Sequence, residues 1–226
     1  MTAPVLIASS APPLRDQAGA RRRKVTDARM ERLLLLDAAM RVLERTGWWG
    51  FKVDSVLRQA RLSTRSFYRH FEKKNDLLLA LLEHEINGVT VHIERLTAAA
   101  STPTDKITAY VTAIVDTAYR PDLAKRAALF ATQWRELQQH YPDALRRCRA
   151  GLIAPLENAI RAGQATGDFR VEDSAATAQV IFSLVSGMTA DEVTLGCETP
   201  RTEFEGTIMP FVARALGLDD AGCQRC

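Results

Sequence analysis

The feature of the sequence that most constrains the fold lies at residues 53–71, where two short helical segments are separated by a break of three residues. The apolar face of the first segment consists of Val53, Val56, Leu57 and Ala60. Ser63 closes the break, and its hydroxyl suits the N-cap of a second segment over about residues 64–70. A helix, a tight turn and a helix at this spacing predict a helix-turn-helix motif.

The second short helix has the composition expected of a helix that enters the major groove of DNA. Phe67 and Phe71 are four residues apart, so they share one side of the helix, which we expect to face the core. The side chains left to face outward are Thr64, Arg65, Ser66, Tyr68 and Arg69. Arginine can bind guanine through two hydrogen bonds, and hydroxyl groups can bind phosphate. From this pattern alone, DNA binding and a solvated basic helix face both remain open.

The charge of the chain is unevenly distributed. Residues 15–74 contain 16 Lys+Arg and 7 Asp+Glu, whereas residues 75–226 contain 14 and 20. A basic first third attracts phosphate polyanions or anionic membranes, although a solvated helix face explains it as well. No apolar run reaches the roughly 18 residues that a membrane-spanning helix needs. The asymmetry therefore favours nucleic acid weakly and predicts two surfaces with different partners.

The rest of the chain is predicted to be helical, because no β-branched alternation between hairpin turns is present. We expect a first helix from about Thr26 to Gly47, N-caps at Thr102 and Asp173, and a helix end at Gly167. The fold class is all-α. The predicted organisation is a disordered basic arm (1–24), a helix-turn-helix domain (25–74), a helical domain (75–218) and a flexible tail (219–226).

One stretch of the sequence resembles the DNA-binding domain of the tetracycline-repressor (TetR) family. The resemblance covers about residues 33–82 and is carried by Leu35 to Met40, Gly47-Trp48, Val53, Val56, Ala60 to Thr64, Phe67 to Phe71, Lys74 and Leu77. Residues 163–170 also resemble a segment that is common late in that family's second domain. This sequence departs from the family pattern at Lys52, Leu57 and Arg61, where a hydroxyl cap, a small residue and a glycine are usual.

The resemblance implies three N-terminal helices that read DNA, about six helices in a regulatory domain, and a homodimer joined by the last two long helices. It places Ser66, Tyr68 and Lys74 at phosphate-binding positions, and Thr64, Arg65 and Arg69 where they can reach bases. The complete set of predicted DNA-binding residues is Ser63, Thr64, Arg65, Ser66, Tyr68, Arg69, His70 and Lys74. The basic block Arg21 to Lys24 is either a further DNA contact or a solvated tail.

These observations predict a homodimeric repressor that binds a near-palindromic operator on double-stranded DNA and is released by a small, hydrophobic effector. The residues proposed to line an effector pocket are Tyr110, Ile114, Phe130, Trp134, Leu137 and Met188. Simple core packing is the alternative for each of them. Two other functions remain open: a DNA-bound factor controlled by a protein partner or serving an architectural role, and a helical protein without DNA binding.

Chemistry beyond binding has little support in the sequence. Cys223 and Cys226 have the spacing of a redox or zinc site, but no second ligand pair accompanies them, and His84 and His92 lack a third ligand. The sequence contains no phosphate-binding glycine loop and no hydrolase or metalloprotease motif. We therefore expect no metal, no cofactor and no enzymatic activity, and the cysteine usage is typical of the reducing cytoplasm.

Overall fold

The computed structural model describes residues 14–131, 134–196 and 198–218. Within these ranges the chain forms ten helices and no strand, which confirms the all-α class. The helices are α1 (Leu14–Gly50), α2 (Val53–Ala60), α3 (Thr64–His70), α4 (Lys74–Ala99), α5 (Pro103–Tyr119), α6 (Pro121–Ala131), α7 (Trp134–His140), α8 (Pro142–Thr166), α9 (Ser174–Leu195) and α10 (Arg201–Ala215). None of the helices in the described part of the chain is long and apolar enough to cross a membrane.

The first helix differs from the prediction at its start and agrees with it at its end. It begins at Leu14 rather than near Thr26, so residues 14–24 are helical and not a disordered arm. Alanine and arginine, which are frequent in this stretch, have high helix propensity. Gly47 interrupts the helix with φ 62° and ψ −177°, a conformation accessible essentially only to glycine. Residues 1–13 and the tail from 219 onward lie outside the described residues.

The helix-turn-helix unit has its own hydrophobic core. Most of its buried side chains come from α1, α2, α3 and the start of α4, and they include Leu35, Leu43, Val56, Phe67 and Leu77; α6, α7 and α8 add one each. The short helices α2 and α3 could not be stable alone, because isolated helices of this length are marginal in water. Burial against α1 and α4 therefore holds both of them in place.

Helix α4 belongs to both halves of the molecule. At about 1.5 Å per residue its 26 residues span roughly 39 Å. Near its start Leu77 and Leu81 are buried in the core of the helix-turn-helix unit, and farther along Ile93 is buried in a second core. This second core is formed mainly by α5, α8, α9 and α10. The helix-turn-helix unit, α1 to the start of α4, is therefore attached by a continuous helix to the helices around the second core. We call these two parts the reading unit and the regulatory domain.

The predicted caps organise the second half of the chain. Thr102 accepts a hydrogen bond from the backbone N–H of Asp105 at 3.0 Å, and Asp173 accepts from those of Ala175 and Ala176 at 2.9 and 3.0 Å. Both N-caps are confirmed. These caps satisfy backbone groups that a helix leaves unpaired at its start.

The segment that resembles the family's second domain closes α8. Gly167 has the left-handed conformation (φ 79°, ψ 8°) of a helix C-cap, as predicted. The backbone N–H groups of Asp168 and Phe169 donate to the carbonyl of Gly163 at 2.8 and 3.1 Å. This turn lays the ring of Phe169 directly on Gly163, where a Cβ atom would lie only 2.1 Å from a ring carbon. The glycine is therefore needed for the approach of the ring.

We predict that Gly163→Ala lowers the free energy of unfolding by about 1–3 kcal/mol, because the added methyl displaces a buried ring. Gly151→Ala is the matched control on the same helix, since a Cβ there would have no atom within 4 Å. We expect that variant to be more stable than the wild type by about 0.5–1 kcal/mol, from helix propensity alone. Urea unfolding followed by circular dichroism measures both changes, and equal effects would contradict the prediction.

Candidate DNA-binding interface

The turn between α2 and α3 is held in a tight conformation. Arg61 adopts the left-handed region (φ 55°, ψ 40°) in which the family resemblance places glycine. The backbone N–H of Leu62 donates to the carbonyl of Leu57 at 3.0 Å and thereby closes the turn. The departure at Arg61 therefore leaves the turn geometry intact and adds backbone strain instead.

The start of α3 is capped as predicted. Ser63 Oγ accepts a hydrogen bond from the backbone N–H of Ser66 at 3.2 Å, and the two hydroxyl oxygens also lie 3.2 Å apart. Ser66 itself is only 8% exposed. The prediction that Ser66 faces outward is therefore wrong, because its position beside Phe67 turns it toward the neighbouring helices and its hydroxyl completes the cap.

The outward face of α3 carries four of the predicted DNA-binding residues. Thr64, Arg65, Tyr68 and Arg69 are all exposed, and Tyr68 is 66% exposed. The opposite side places Phe67 and Phe71 in the core, as the spacing predicted. A short helix with an apolar inner side and a cationic, hydroxyl-bearing outer side is thus presented to solvent.

Glu31, on α1, binds the end of α3. Its Oε2 accepts a hydrogen bond from Arg69 Nη1 at 2.8 Å and lies 3.2 Å from His70 Nε2. His70 is largely buried by this arrangement, so its predicted role at the DNA surface becomes one of anchoring α3. Sequence reasoning missed Glu31, because it is 38 and 39 residues away from its partners and no local pattern connects them.

Two lysines flank the helix-turn-helix. Lys52 precedes α2, is exposed, and makes no side-chain capping bond, as predicted for a residue that cannot accept one. Lys74 begins α4 and is half-buried, with its Nζ 5.5 Å from the centroid of the Phe51 ring. This cation–π contact orients the Lys74 side chain beside the motif.

The predicted effector residues do not come together. Tyr110 and Ile114 are buried in the second core, where the Tyr110 hydroxyl donates to the carbonyl of Leu152 at 2.9 Å. Phe130 and Leu137 are instead buried in the core of the helix-turn-helix unit. Met188 is partly buried against the second core, and the side chain of Trp134 lies outside the described residues. Tyr110, Ile114, Phe130 and Met188 thus pack in the cores, whereas Leu137 is buried in a core and also lines a cavity.

Two cavities lie where the helix-turn-helix unit meets the regulatory domain. A cavity of about 170 Å³ is lined by Trp48, Trp49, Lys74, Asn75, Leu78, Glu136, Leu137, His140 and Tyr141. An open cleft of about 530 Å³ is lined by Leu33, Leu36, Asp37, Met40, Arg41, Glu44, His84, Glu85 and Arg126. We call them the tryptophan cavity and the α1–α6 cleft. The described residues contain no group of three or more side chains placed to hold a metal ion.

Comparison with known proteins identifies the family. The family description "Bacterial regulatory proteins, tetR family" matches residues 35–81, and "Tetracyclin repressor-like, C-terminal domain" matches residues 100–190. The chain belongs to the TetR family. It is therefore a DNA-binding transcriptional regulator and not an enzyme, which confirms the resemblance found in the sequence. No curated protein matches the chain by sequence.

Solved structures of several regulators share the fold. The regulator FadR from Bacillus subtilis, solved in complex with stearoyl-CoA, is 16% identical with a TM-score of 0.66, over 81% of this chain and 98% of its own. FadR from Bacillus halodurans is 19% identical with a TM-score of 0.63, over 87% and 97%. A TetR regulator from Haloarcula marismortui is 18% identical with a TM-score of 0.66, over 83% and 97%. At these identities the likeness establishes the fold.

We predict that Arg61→Gly raises the free energy of unfolding by about 1 kcal/mol, because glycine adopts positive φ without a Cβ clash. Arg61→Gln is the matched control, since it removes the same charge and keeps the strained backbone. Urea unfolding should show stabilisation in the first variant only. Equal stabilities of the two variants would show that the turn is not strained.

Proposed function

We propose that this regulator is a homodimeric repressor that reads a near-palindromic operator with α3 and dissociates from it when a small molecule binds. The observation that carries the proposal is the outward face of α3, where Thr64, Arg65, Tyr68 and Arg69 are exposed above a buried Phe67. A helix of this shape fits the major groove, which is about 12 Å wide.

The exposed residues divide into two roles. Arg65 has no hydrogen-bond or ion-pair partner within the described part of the chain, so its guanidinium is free to bind a guanine edge. Tyr68 presents its hydroxyl away from the core, and Lys74 lies at the start of α4, where both can bind the sugar-phosphate backbone. Base contacts then select the operator, and phosphate contacts fix the register.

A second copy of the chain is proposed to cover an outward face of α9. Ala176, Val180, Ser183 and Gly187 recur at helical spacing and are all exposed, Val180 by 59%. In the single chain this face of α9 is therefore open to solvent. Small side chains let two helices approach closely, so a partner's α9 and α10 could pack here. A dimer would place its two α3 helices in successive major grooves, about 34–36 Å apart.

The regulatory domain is connected to α1 through α6. Arg126 on α6 donates to Glu44 of α1 at 3.2 Å and to Glu85 of α4 at 3.1 Å. Burial lowers the pKa of the Arg126 guanidinium, but the Glu85 and Glu44 carboxylates outweigh that effect and hold its pKa above the usual value. Nearby, the Trp48 indole donates to the carbonyl of Leu129 and packs edge-on against Phe130, with ring centroids 5.9 Å apart. A displacement of α6 would therefore move α1 and, with it, the position of α3.

A protein partner in place of a small effector is the second candidate function. The observation that favours it is the dense second core, in which Tyr110, Ile160 and Ile181 are completely buried, and neither of the two cavities lies there.

The same dense core bears on where a small effector would bind. FadR from Bacillus subtilis has been solved with stearoyl-CoA. A ligand of that size would require this core to open. We therefore expect an effector of this chain to bind at the junction of the two domains.

The DNA-binding proposal is tested on duplexes selected from a random pool by the wild-type protein. Enrichment of a near-palindrome is expected, and affinity should fall steeply with salt if about 6–10 phosphates are contacted. Arg65→Ala should weaken binding by about 1–3 kcal/mol and relax the preference at one base position. Tyr68→Phe should weaken binding to all duplexes alike. Arg161→Ala, an exposed arginine on α8, is the control and should leave binding unchanged.

A uniform loss in Arg65→Ala would refute base readout by Arg65. A loss in Tyr68→Phe that depends on sequence would refute its phosphate role. Failure of the pool to yield any preferred duplex would overturn the proposed function itself.

We predict that Val180→Glu converts the dimer into monomers at micromolar concentration, because the interface would bury an unpaired carboxylate. Val91→Glu is the matched control, since Val91 on α4 is 54% exposed and lies outside the proposed interface. Sedimentation velocity should show a dimer for the wild type and the control. A dimeric Val180→Glu variant would place the interface elsewhere.

A further inference from the structure

The tryptophan cavity lies between the reading unit and the regulatory domain. Its walls come from the last residues of α1, after the kink at Gly47, and from the start of α4, α7, and the residue that precedes α8. A ligand in this position would contact both domains at once. Its binding energy would therefore depend directly on how the two domains are placed relative to each other.

Trp48 and Tyr141 are held in place by neighbouring residues, whereas Trp49 is open to solvent. The Trp48 indole is held by Leu129 and Phe130, and the Tyr141 hydroxyl donates to Asp76 Oδ1 at 2.8 Å. Burial and this hydrogen bond to Asp76 raise the pKa of Tyr141 to about 12, so the hydroxyl stays protonated. By contrast, Trp49 is 96% exposed and leaves a large aromatic surface in water at the mouth of the cavity. An aromatic ligand would cover that surface and gain stacking energy.

The size of the cavity restricts the ligand. Its volume is about 170 Å³. A protein cavity of about 150 Å³ holds one benzene molecule. Drug-sized ligands occupy clefts of about 300–1,000 Å³. The volume of the tryptophan cavity therefore suits a single six-membered ring.

One cation at the cavity is available to bind an anion. Lys74 lines it, and the Lys73 ammonium lies 5.8 Å from the centroid of the Tyr141 ring. Asp76 is already occupied by Tyr141 and by the backbone N–H of Lys73 at 3.1 Å. Lys73 and Lys74 therefore balance Asp76 and Glu136 when His140 is neutral, but the Lys74 ammonium has no carboxylate partner among the described residues.

From this geometry we propose that the tryptophan cavity binds a monocyclic aromatic carboxylate, whose ring packs between Trp48, Trp49 and Tyr141 and whose carboxylate pairs with Lys74. This proposal deepens the proposed function and rests on it, because Lys74 is also the lysine proposed to bind DNA phosphate. One ammonium group cannot serve both anions. The carboxylate and the operator therefore exclude each other, and each must lower the affinity for the other by the same factor.

The α1–α6 cleft is larger but less suited to a charged ligand. Asp37 already pairs with Arg41 at 2.8 Å, and Arg126 pairs with both Glu44 and Glu85. Its arginines are thus neutralised by carboxylates of the same protein. A ligand carboxylate would have to displace one of them, whereas in the tryptophan cavity the Lys74 ammonium is in contact with a ring only.

The first experiment titrates the full-length protein with benzoate and follows tryptophan fluorescence and heat. Saturable quenching with one site per chain is expected. Benzylamine, with the opposite charge, and cyclohexanecarboxylate, with a non-aromatic ring, should each bind about tenfold more weakly or not at all. Failure of benzoate to bind, or stronger binding of benzylamine, would overturn the proposal.

Variants locate the site. Trp49→Leu should weaken benzoate binding about tenfold by calorimetry while its affinity for the selected duplex stays at the wild-type value. Lys74→Gln should also lose about tenfold in benzoate affinity, whereas Lys125→Gln, an exposed lysine on α6, should match the wild type. Unchanged benzoate affinity in both Trp49→Leu and Lys74→Gln would place the binding elsewhere and refute the site.

Competition separates this proposal from the function on which it rests. Saturating benzoate should weaken duplex binding by the wild type at constant ionic strength and should have little effect on Trp49→Leu. Benzoate binding without any change in duplex affinity would refute mutual exclusion at Lys74. Loss of all duplex binding in the wild type would instead refute the proposed function, and the benzoate titrations would still decide whether the cavity is a site.

Discussion

The architecture depends on the burial of one helix in two separate cores. The start of α4 is buried with α1, α2 and α3, and its later turns are buried among the helices of the regulatory domain. Because a helix is stiff over its roughly 39 Å, the reading unit cannot turn independently of the regulatory domain. The same helix carries Lys74, which lines the tryptophan cavity, and Glu85, which takes part in the ion pairs with α6.

Apolar and polar contacts join the two domains at the boundary between them. Phe130, Leu137 and Leu145 come from the regulatory half of the chain but are buried in the core of the reading unit. Beside them, Arg126 and Trp48 make polar bonds across the same boundary. The second core, by contrast, is filled by its own side chains.

Features set by short-range chemistry could be predicted from the sequence. The helix break at Gly47, the caps at Ser63, Thr102 and Asp173, and the inward side of α3 all depend on residues within about one turn of each other. Features set by packing could not. The aromatic and aliphatic residues chosen for one pocket divide between two cores, and the inward rotation of Ser66 depends on neighbouring helices. The overlap of the tryptophan cavity with Lys74 appears only when α4 and α7 are brought together.

The carboxylate of Glu31 has a consequence for how the protein searches DNA. In the free protein it acts as a built-in counterion for Arg69. When Arg69 moves to a nucleic acid, one anion replaces another, and the vacated carboxylate faces a negatively charged polymer unless it turns away. On random sequence Arg69 can bind only a phosphate, so breaking the ion pair with Glu31 gains little binding free energy. On the operator Arg69 can bind a base, and the gain is larger. If Arg69 binds a base as proposed, the internal ion pair therefore weakens binding to random sequence more than binding to the operator.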